Sequence, residues 1–187
     1  MVDLSALPPD TPSFFNDRME RFGQFMEEFR DESDRGCAVL VMCVLEDSLH
    51  DMFKALLVDE GRGALTNLAP PGGLKKTLEN AVALGLLSER QRRAFKALAD
   101  VRNKFAHRPL QKLSFETPDI ASLLRSVPTA IQLPNAIPSD PGTRAHFLIS
   151  AAILWILMTF KIPKISRLEA AGDPPTEGMP GYELLSD

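Results

Sequence analysis

Apolar residues recur at three- and four-residue spacing along most of the chain, and this period predicts an all-α protein. The first apolar stripe joins large side chains: Phe15, Met19, Phe22, Met26 and Phe29. Ser13 precedes the stripe and can cap this helix, because a serine oxygen accepts a free amide of the first turn. Residues 1–12 contain prolines and aspartates and are predicted to form a flexible arm.

A second helix is predicted after Ser33 or Asp34, since either residue can cap it. Nine consecutive apolar residues follow at Cys37–Leu45, and a helix that is apolar on every side is expected to be buried on every side. This helix should therefore be the central one, with Cys37 and Cys43 as small core residues.

The Gly- and Pro-containing stretch Gly61–Gly73 is predicted to be a loop, and a third helix from Leu74 should end near Gly85. Ser88 and Gln91 then have the spacing of a capping box, which predicts the start of a fourth helix.

The fourth helix carries an apolar stripe of Phe95, Leu98, Val101 and Phe105. Pro109 disfavours helical geometry in the residue before it, so this helix is predicted to end near Ala106–His107.

Four prolines between Val127 and Gly142 predict a long irregular loop before the last helix. That helix should run from Arg144 to about Lys161, with His146 as a hydrogen-bonded structural residue. The predicted organisation is one helical domain at 13–165 followed by a mostly disordered acidic tail at 166–187.

The chain has 187 residues with 44% hydrophobic and 25% charged residues, which is typical of one soluble globular domain. Its net charge of −4 argues against non-specific binding to nucleic acid. The segment Leu86–Lys112 differs, because eight basic and two acidic residues give it +6 and leave −10 for the remainder. A local basic face is therefore conceivable, with these nucleic-acid-binding candidates: Arg90, Arg93, Lys96, Lys104 and Arg108.

Neither a membrane span nor a metal site is expected. The longest apolar stretch, Phe147–Phe160, is shorter than the roughly 20 residues that cross a bilayer, so it is interpreted as a buried helix. The N-terminus lacks the pattern of a secretory signal, and a cytoplasmic location is expected. The three histidines share no close spacing, so neither a metal nor a cofactor is predicted.

Arg102, Asn103 and His107 are expected to gather on the last turn of the fourth helix. An arginine, an amide and an imidazole at one helix end could hold a phosphate and move a proton. Basic residues are also common in last turns merely because they complement the helix dipole. Glu46 and Asp47 follow the apolar run of the second helix, and either could pair with Arg102, or both could be exposed.

A DNA-reading alternative arises from the short turn before the fourth helix. In a helix-turn-helix motif, Ser88, Arg90, Gln91 and Arg93 would face base edges. The apolar stripe of the same helix opposes this interpretation, because it must be buried in a bundle.

The string RNKFAH, at positions 102–107, resembles the RN-x-x-x-H signature of the HEPN superfamily. Together, DRGCAVLVMCVLEDSLHDMFKALL and ALGLLSERQRRAFKALADVRNKFAH are similar to the mannitol repressor family, over roughly Phe15–Phe115. The resemblance implies a HEPN-like bundle of about six helices, in which an acid faces the signature arginine.

Two functions follow as expectations. The first is a repressor-like regulator that acts through a protein partner, with Arg102 in a structural pair. The alternative is a metal-independent endoribonuclease, in which His107 is acid or base, Arg102 stabilises the phosphate and Asn103 orients it. The second function requires a homodimer, because one chain offers a single signature histidine; RNA or DNA is a conceivable ligand.

Overall fold

The computed structural model describes residues 29–58, 62–127 and 143–169, together with Glu20, Gly23, Gln24 and Glu27. Within these residues the fold is helical, and it contains no strand. The α-helices whose bounds lie in the described ranges are α1 (Asp34–Leu56), α2 (Arg62–Leu68), α3 (Leu74–Ala83), α4 (Glu89–His107), α5 (Pro118–Arg125) and α6 (Arg144–Lys161). The prediction of an all-α bundle is confirmed.

Several predicted segments lie wholly or mostly outside the described residues. They are the arm at 1–12, the helix starting at Ser13, the proline-rich loop at 128–142 and the tail from 170 onwards. The first residues of the predicted tail are held in place: Leu168 N donates to Leu56 O at 2.8 Å, and Arg167 Nε donates to Leu57 O at 2.8 Å.

The helix starts are set by the caps that the sequence predicts. Ser33 Oγ accepts from Gly36 N at 3.0 Å at the start of α1. Ser88 and Gln91 form a complete capping box at the start of α4. Gly85 has a φ of 69°, the left-handed conformation that ends α3 without the steric cost of a side chain.

The stretch Gly61–Gly73 is not entirely loop, because α2 occupies Arg62–Leu68. Its last carbonyl groups are satisfied from other helices: Asn80 Nδ2 donates to Leu68 O at 2.7 Å, and the ring of His50 bonds Ala69 O at 3.2 Å through Nε2. These partners come from α3 and α1, so the sequence of the stretch does not reveal them. Long-range hydrogen bonds therefore stabilise a helix too short to be stable alone.

The core lies where α1 packs against both α4 and α6. Phe105, Phe115 and Phe147 meet there, each 0% exposed, with ring centroids 5.1 Å apart in both contacts. The edge-to-face geometry of Phe105 on Phe115, at 66°, is the arrangement that aromatic pairs favour. These rings join α4, the segment before α5, and α6.

The expectation that Cys37–Leu45 is buried on all sides is wrong. Leu40 is 38% exposed and Cys43 is exposed, whereas Cys37 is completely buried. The reason is that α4 and α6 cover only part of the circumference of α1. Burial raises the pKa of the Cys37 thiol to about 11, so Cys37 is an unreactive core residue. Cys43 is a surface thiol.

Helix α6 and its 3₁₀ extension, Arg144–Lys164, form the one described helix long and apolar enough to cross a membrane, with a mean hydropathy of 1.8 over its 18-residue window. The length argument from the sequence is therefore wrong, because the helix extends to 21 residues. Its packing supports the buried-helix interpretation: Phe147, Leu154 and Met158 are fully buried against the bundle. Over the whole window, 44% is buried inside the fold.

Arg144 ties the start of α6 to the start of α1. Its guanidinium donates to Glu32 O at 2.7 Å, to Asp34 Oδ1 at 3.2 Å and to Phe29 O. The other carboxylate oxygen of Asp34 accepts from Phe115 N at 3.0 Å. This network links three segments that are distant in sequence, and nothing in the local pattern predicts it.

His146 is only 4% exposed, and its Nδ1 has no hydrogen-bond partner. The expectation of a hydrogen-bonded structural histidine is therefore wrong for this atom. Burial lowers the pKa of His146 below its ordinary value of 6.5, because the charged ring would lose its hydration.

Phe115→Ala should lower the free energy of unfolding by about 3–5 kcal/mol, because it leaves a cavity between the rings of Phe105 and Phe147. Chemical denaturation followed by circular dichroism measures the change. Leu110→Ala is the control, since that side chain is exposed and its loss should change the stability by less than about 0.5 kcal/mol. Equal effects of the two substitutions would contradict this description of the core.

The free energy of unfolding should decrease as the pH falls below 6.5. The unfolded chain protonates His146 at its ordinary pKa, whereas the folded protein resists protonation, so acid favours unfolding. Denaturation at about pH 7.5 and about pH 5.5 should show a smaller decrease in His146→Gln than in the wild type. His107→Gln is the matched control and should retain the full decrease; if His146→Gln also retains it, the buried ring is not its source.

Candidate functional site

The arginine of the signature pairs with the acidic end of the apolar run in α1. Arg102 Nη2 donates to Glu46 Oε1 at 3.0 Å, and the two side chains are 29% and 34% exposed. Asp47 is exposed, and it forms no ion pair with Arg102 among the described residues. The hypothesis that an acid of α1 faces Arg102 is therefore confirmed for Glu46 and wrong for Asp47.

The two helices bring this pair together because they pack antiparallel. Arg35, near the start of α1, contacts residues 108–111 after the end of α4, while Glu46, farther along α1, meets Arg102. Arg102 lies at the edge of this contact. Its Nε is buried without a hydrogen-bond partner, so the guanidinium is only partly satisfied.

His107 and Arg102 leave α4 in different directions. Five residues separate them on one helix, which rotates the second side chain by about 140° from the first. His107 and Asn103 are one turn apart and both exposed, and neither makes a side-chain hydrogen bond to a described residue. Asn103 and His107 share an exposed face, whereas Arg102 pairs with α1, and the joint use of the three groups stays a prediction.

The end of α4 is capped by Arg35 rather than by His107. The Arg35 guanidinium donates to the carbonyl oxygens of Pro109 at 2.8 Å, Arg108 at 3.0 Å and Gln111 at 3.1 Å. Arg35 is not among the residues predicted from the sequence. A signal was available, because a cation in the first turn of a helix is unfavourable unless it serves another purpose.

Three of the five proposed basic residues pair with acidic neighbours, two of them with the same carboxylate. Lys96 Nζ lies 2.6 Å from Asp100 Oδ2. Arg108 and Lys104 share Asp119 Oδ2, at 3.2 and 3.8 Å respectively. The pKa of Asp119 is held below its ordinary value by a hydrogen bond from its own backbone amide, and further by Arg108.

Arg90 and Arg93 remain exposed, without an ion pair among the described residues. The other two residues of the predicted DNA-reading motif, Ser88 and Gln91, hydrogen-bond to each other. Ser88 Oγ accepts from Gln91 N at 3.2 Å, and Gln91 Oε1 accepts from Ser88 N at 2.7 Å. Two of the four proposed base-reading side chains thus cap α4, which argues against a helix-turn-helix role.

A cleft of about 520 Å³ opens between α1 and α2. It is lined in part by Asp47, His50, Asp51 and Thr66, and Asp51 pairs with Lys54 at 2.9 Å. In the described part of the chain, no group of three or more His, Cys, Asp or Glu side chains is arranged so that it could hold a metal ion. The cleft borders Asp47 rather than the Arg102–Glu46 pair.

No family model matches this chain, and no curated protein or solved structure matches it either. The resemblance to mannitol repressors and to the HEPN superfamily therefore stays a prediction from the sequence.

A double-mutant cycle with Glu46→Gln and Arg102→Gln should give a coupling energy of about 1–2 kcal/mol. This value lies between those of exposed and fully buried pairs, because both side chains are half-buried. Urea denaturation of the four proteins measures it. The Lys96–Asp100 pair is the matched control and should give only about 0.3–0.5 kcal/mol. Equal coupling in the two cycles would show that Arg102–Glu46 is an ordinary surface pair.

Proposed function

We propose that this protein is a repressor-like regulator with a HEPN-like helical bundle, related to the mannitol repressor family and acting mainly through protein contacts in the cytoplasm. The observation that carries the proposal is the Arg102–Glu46 pair at 3.0 Å. It gives the signature arginine a structural task.

The geometry of α4 favours contact over catalysis within one chain. A catalytic Arg102 has to bind a phosphate oxygen, yet Glu46 already occupies one of its nitrogens. If Arg102 turned from Glu46 to a phosphate, the half-buried carboxylate of Glu46 would lose its ion-pair partner, which is unfavourable. In addition, Arg102 is directed to Glu46 of α1, whereas His107 is exposed and makes no side-chain hydrogen bond to a described residue.

The charge distribution supports regulation through a protein partner instead of direct DNA reading. Lys96, Lys104 and Arg108 are paired with carboxylates. Sequence-specific readers need free side chains that reach base edges. Arg90 and Arg93 alone provide few such contacts, so the regulator is proposed to reach its promoter through another protein.

Metal-independent RNA cleavage is the second candidate, and it is favoured by the open face at Asn103 and His107. In a two-fold homodimer, two such faces could line one cleft. His107 would act as acid or base on the ribose hydroxyl and the leaving oxygen, Arg102 of either copy would stabilise the phosphorane, and Asn103 would orient the phosphate.

The two functions differ in what happens to RNA. A promoter–reporter fusion for transcription units near the gene measures initiation, and mapping of RNA 5′ ends measures cleavage. Regulation predicts that deletion of the gene changes reporter activity and that His107→Ala restores the wild-type level. Regulation also predicts that the mapped RNA 5′ ends are the same in the deletion strain and in the His107→Ala strain. An unchanged reporter in the deletion strain would contradict the regulatory function.

Purified protein provides the complementary assay. Wild type, His107→Ala and the control His50→Ala are incubated with single-stranded RNA in EDTA, and light scattering records the oligomeric state. The regulatory proposal predicts no cleavage above the His107→Ala level. Cleavage lost in His107→Ala, but retained in His50→Ala, would establish the ribonuclease instead.

A further inference from the structure

Residues 108–112, directly after α4, form a loop whose backbone is fixed while its tip is uncovered. We call it the clamped loop. Arg35 binds three of its carbonyl oxygens, those of Arg108, Pro109 and Gln111. Leu110 lies among these held residues, and it is 98% exposed.

A single exposed leucine is ordinary on a protein surface. Leu110 differs because the backbone that carries it is held by three hydrogen bonds from a charged group. Such charge-assisted bonds are stronger than neutral ones. A tip that is already ordered loses less conformational entropy when it binds, and this preorganisation favours association.

The surroundings of Leu110 are positively charged. Lys104 and Arg108 share the single carboxylate of Asp119, so one positive charge is left over in this group. Lys112 is exposed and forms no ion pair with a described residue. The basic clamped loop contrasts with the chain as a whole, whose net charge is −4.

We propose that the clamped loop docks on a partner protein whose surface presents an apolar pocket bordered by carboxylates. Leu110 fills the pocket, and Arg108 and Lys112 meet the acids. The proposal rests on regulation through protein contacts and specifies which surface makes the contact. RNA fits less well, because a phosphate backbone offers no site for a fully exposed leucine.

The first test is photo-crosslinking in the native host, with p-benzoylphenylalanine at position 110. The same residue at position 84 is the control, since Leu84 is 42% exposed on a different helix end. A crosslink at 110 but not at 84, to an apolar peptide flanked by Asp or Glu, is the expected result. A crosslink to RNA or to a second copy of this chain would overturn the proposal.

The second test uses the crosslinked protein after purification. Its dissociation constant for Leu110→Ala should rise about tenfold or more, as expected for an anchor residue. Binding should also weaken as the salt concentration increases, because the rim is charged. An unchanged constant for Leu110→Ala would overturn the proposal.

Arg35→Gln tests the clamp separately from the anchor. It should speed amide hydrogen exchange in the segment 110–113 and weaken partner binding, although Leu110 is still present. Arg30→Gln is the matched control, because Arg30 pairs with Glu27 and does not touch the clamped loop. If Arg35→Gln binds like the wild type, the clamp has no part in docking.

These results are separable from the test of the proposed function. If position 110 crosslinks no protein while the promoter reporter still responds to deletion of the gene, regulation stands and the clamped loop is not its contact surface. If the reporter does not respond, the regulatory function itself has failed.

Discussion

The antiparallel contact between α1 and α4 is the constraint on which the rest of the structure depends. It buries the apolar stripe of α4, including Phe95 and Phe105, against the core side of α1. Two arginines satisfy the polar groups along this contact. Arg102 pairs with Glu46 beside the core, and Arg35 binds the carbonyl groups where α4 ends. Charged groups at a helix contact are unfavourable unless they are paired, so these bonds favour one register of the two helices.

The same contact decides what the signature segment can do. It brings Arg102 to Glu46, while Asn103 and His107 remain exposed. By placing Arg35 at the end of α4, it leaves His107 free of any capping task and orders the loop that follows. The chemistry suggested by RNKFAH is thereby divided between a structural pair inside the bundle and an open surface outside it.

Polar networks also account for the elements that the sequence did not reveal. Helix α2 exists in a stretch rich in glycine and proline because Asn80 and His50 satisfy its last carbonyl groups. The start of α6 is fixed by Arg144, which reaches the segment before α1 and the carboxylate of Asp34. In each case a side chain far away in the sequence completes the hydrogen bonding that a helix end lacks.

The sequence by itself determined the helical class, a cap at Ser33 or Asp34, the cap at Ser88, and the end of α4 near Ala106–His107. These features depend on residues a few positions apart, since apolar period, capping and the effect of proline are local. The tertiary structure alone decided that Glu46 rather than Asp47 meets Arg102, that Leu40 and Cys43 are exposed, and that Arg35 caps α4. Those outcomes depend on which face of each helix its neighbours cover. A run of nine apolar residues does not carry that information, because it places apolar side chains on every face of the helix.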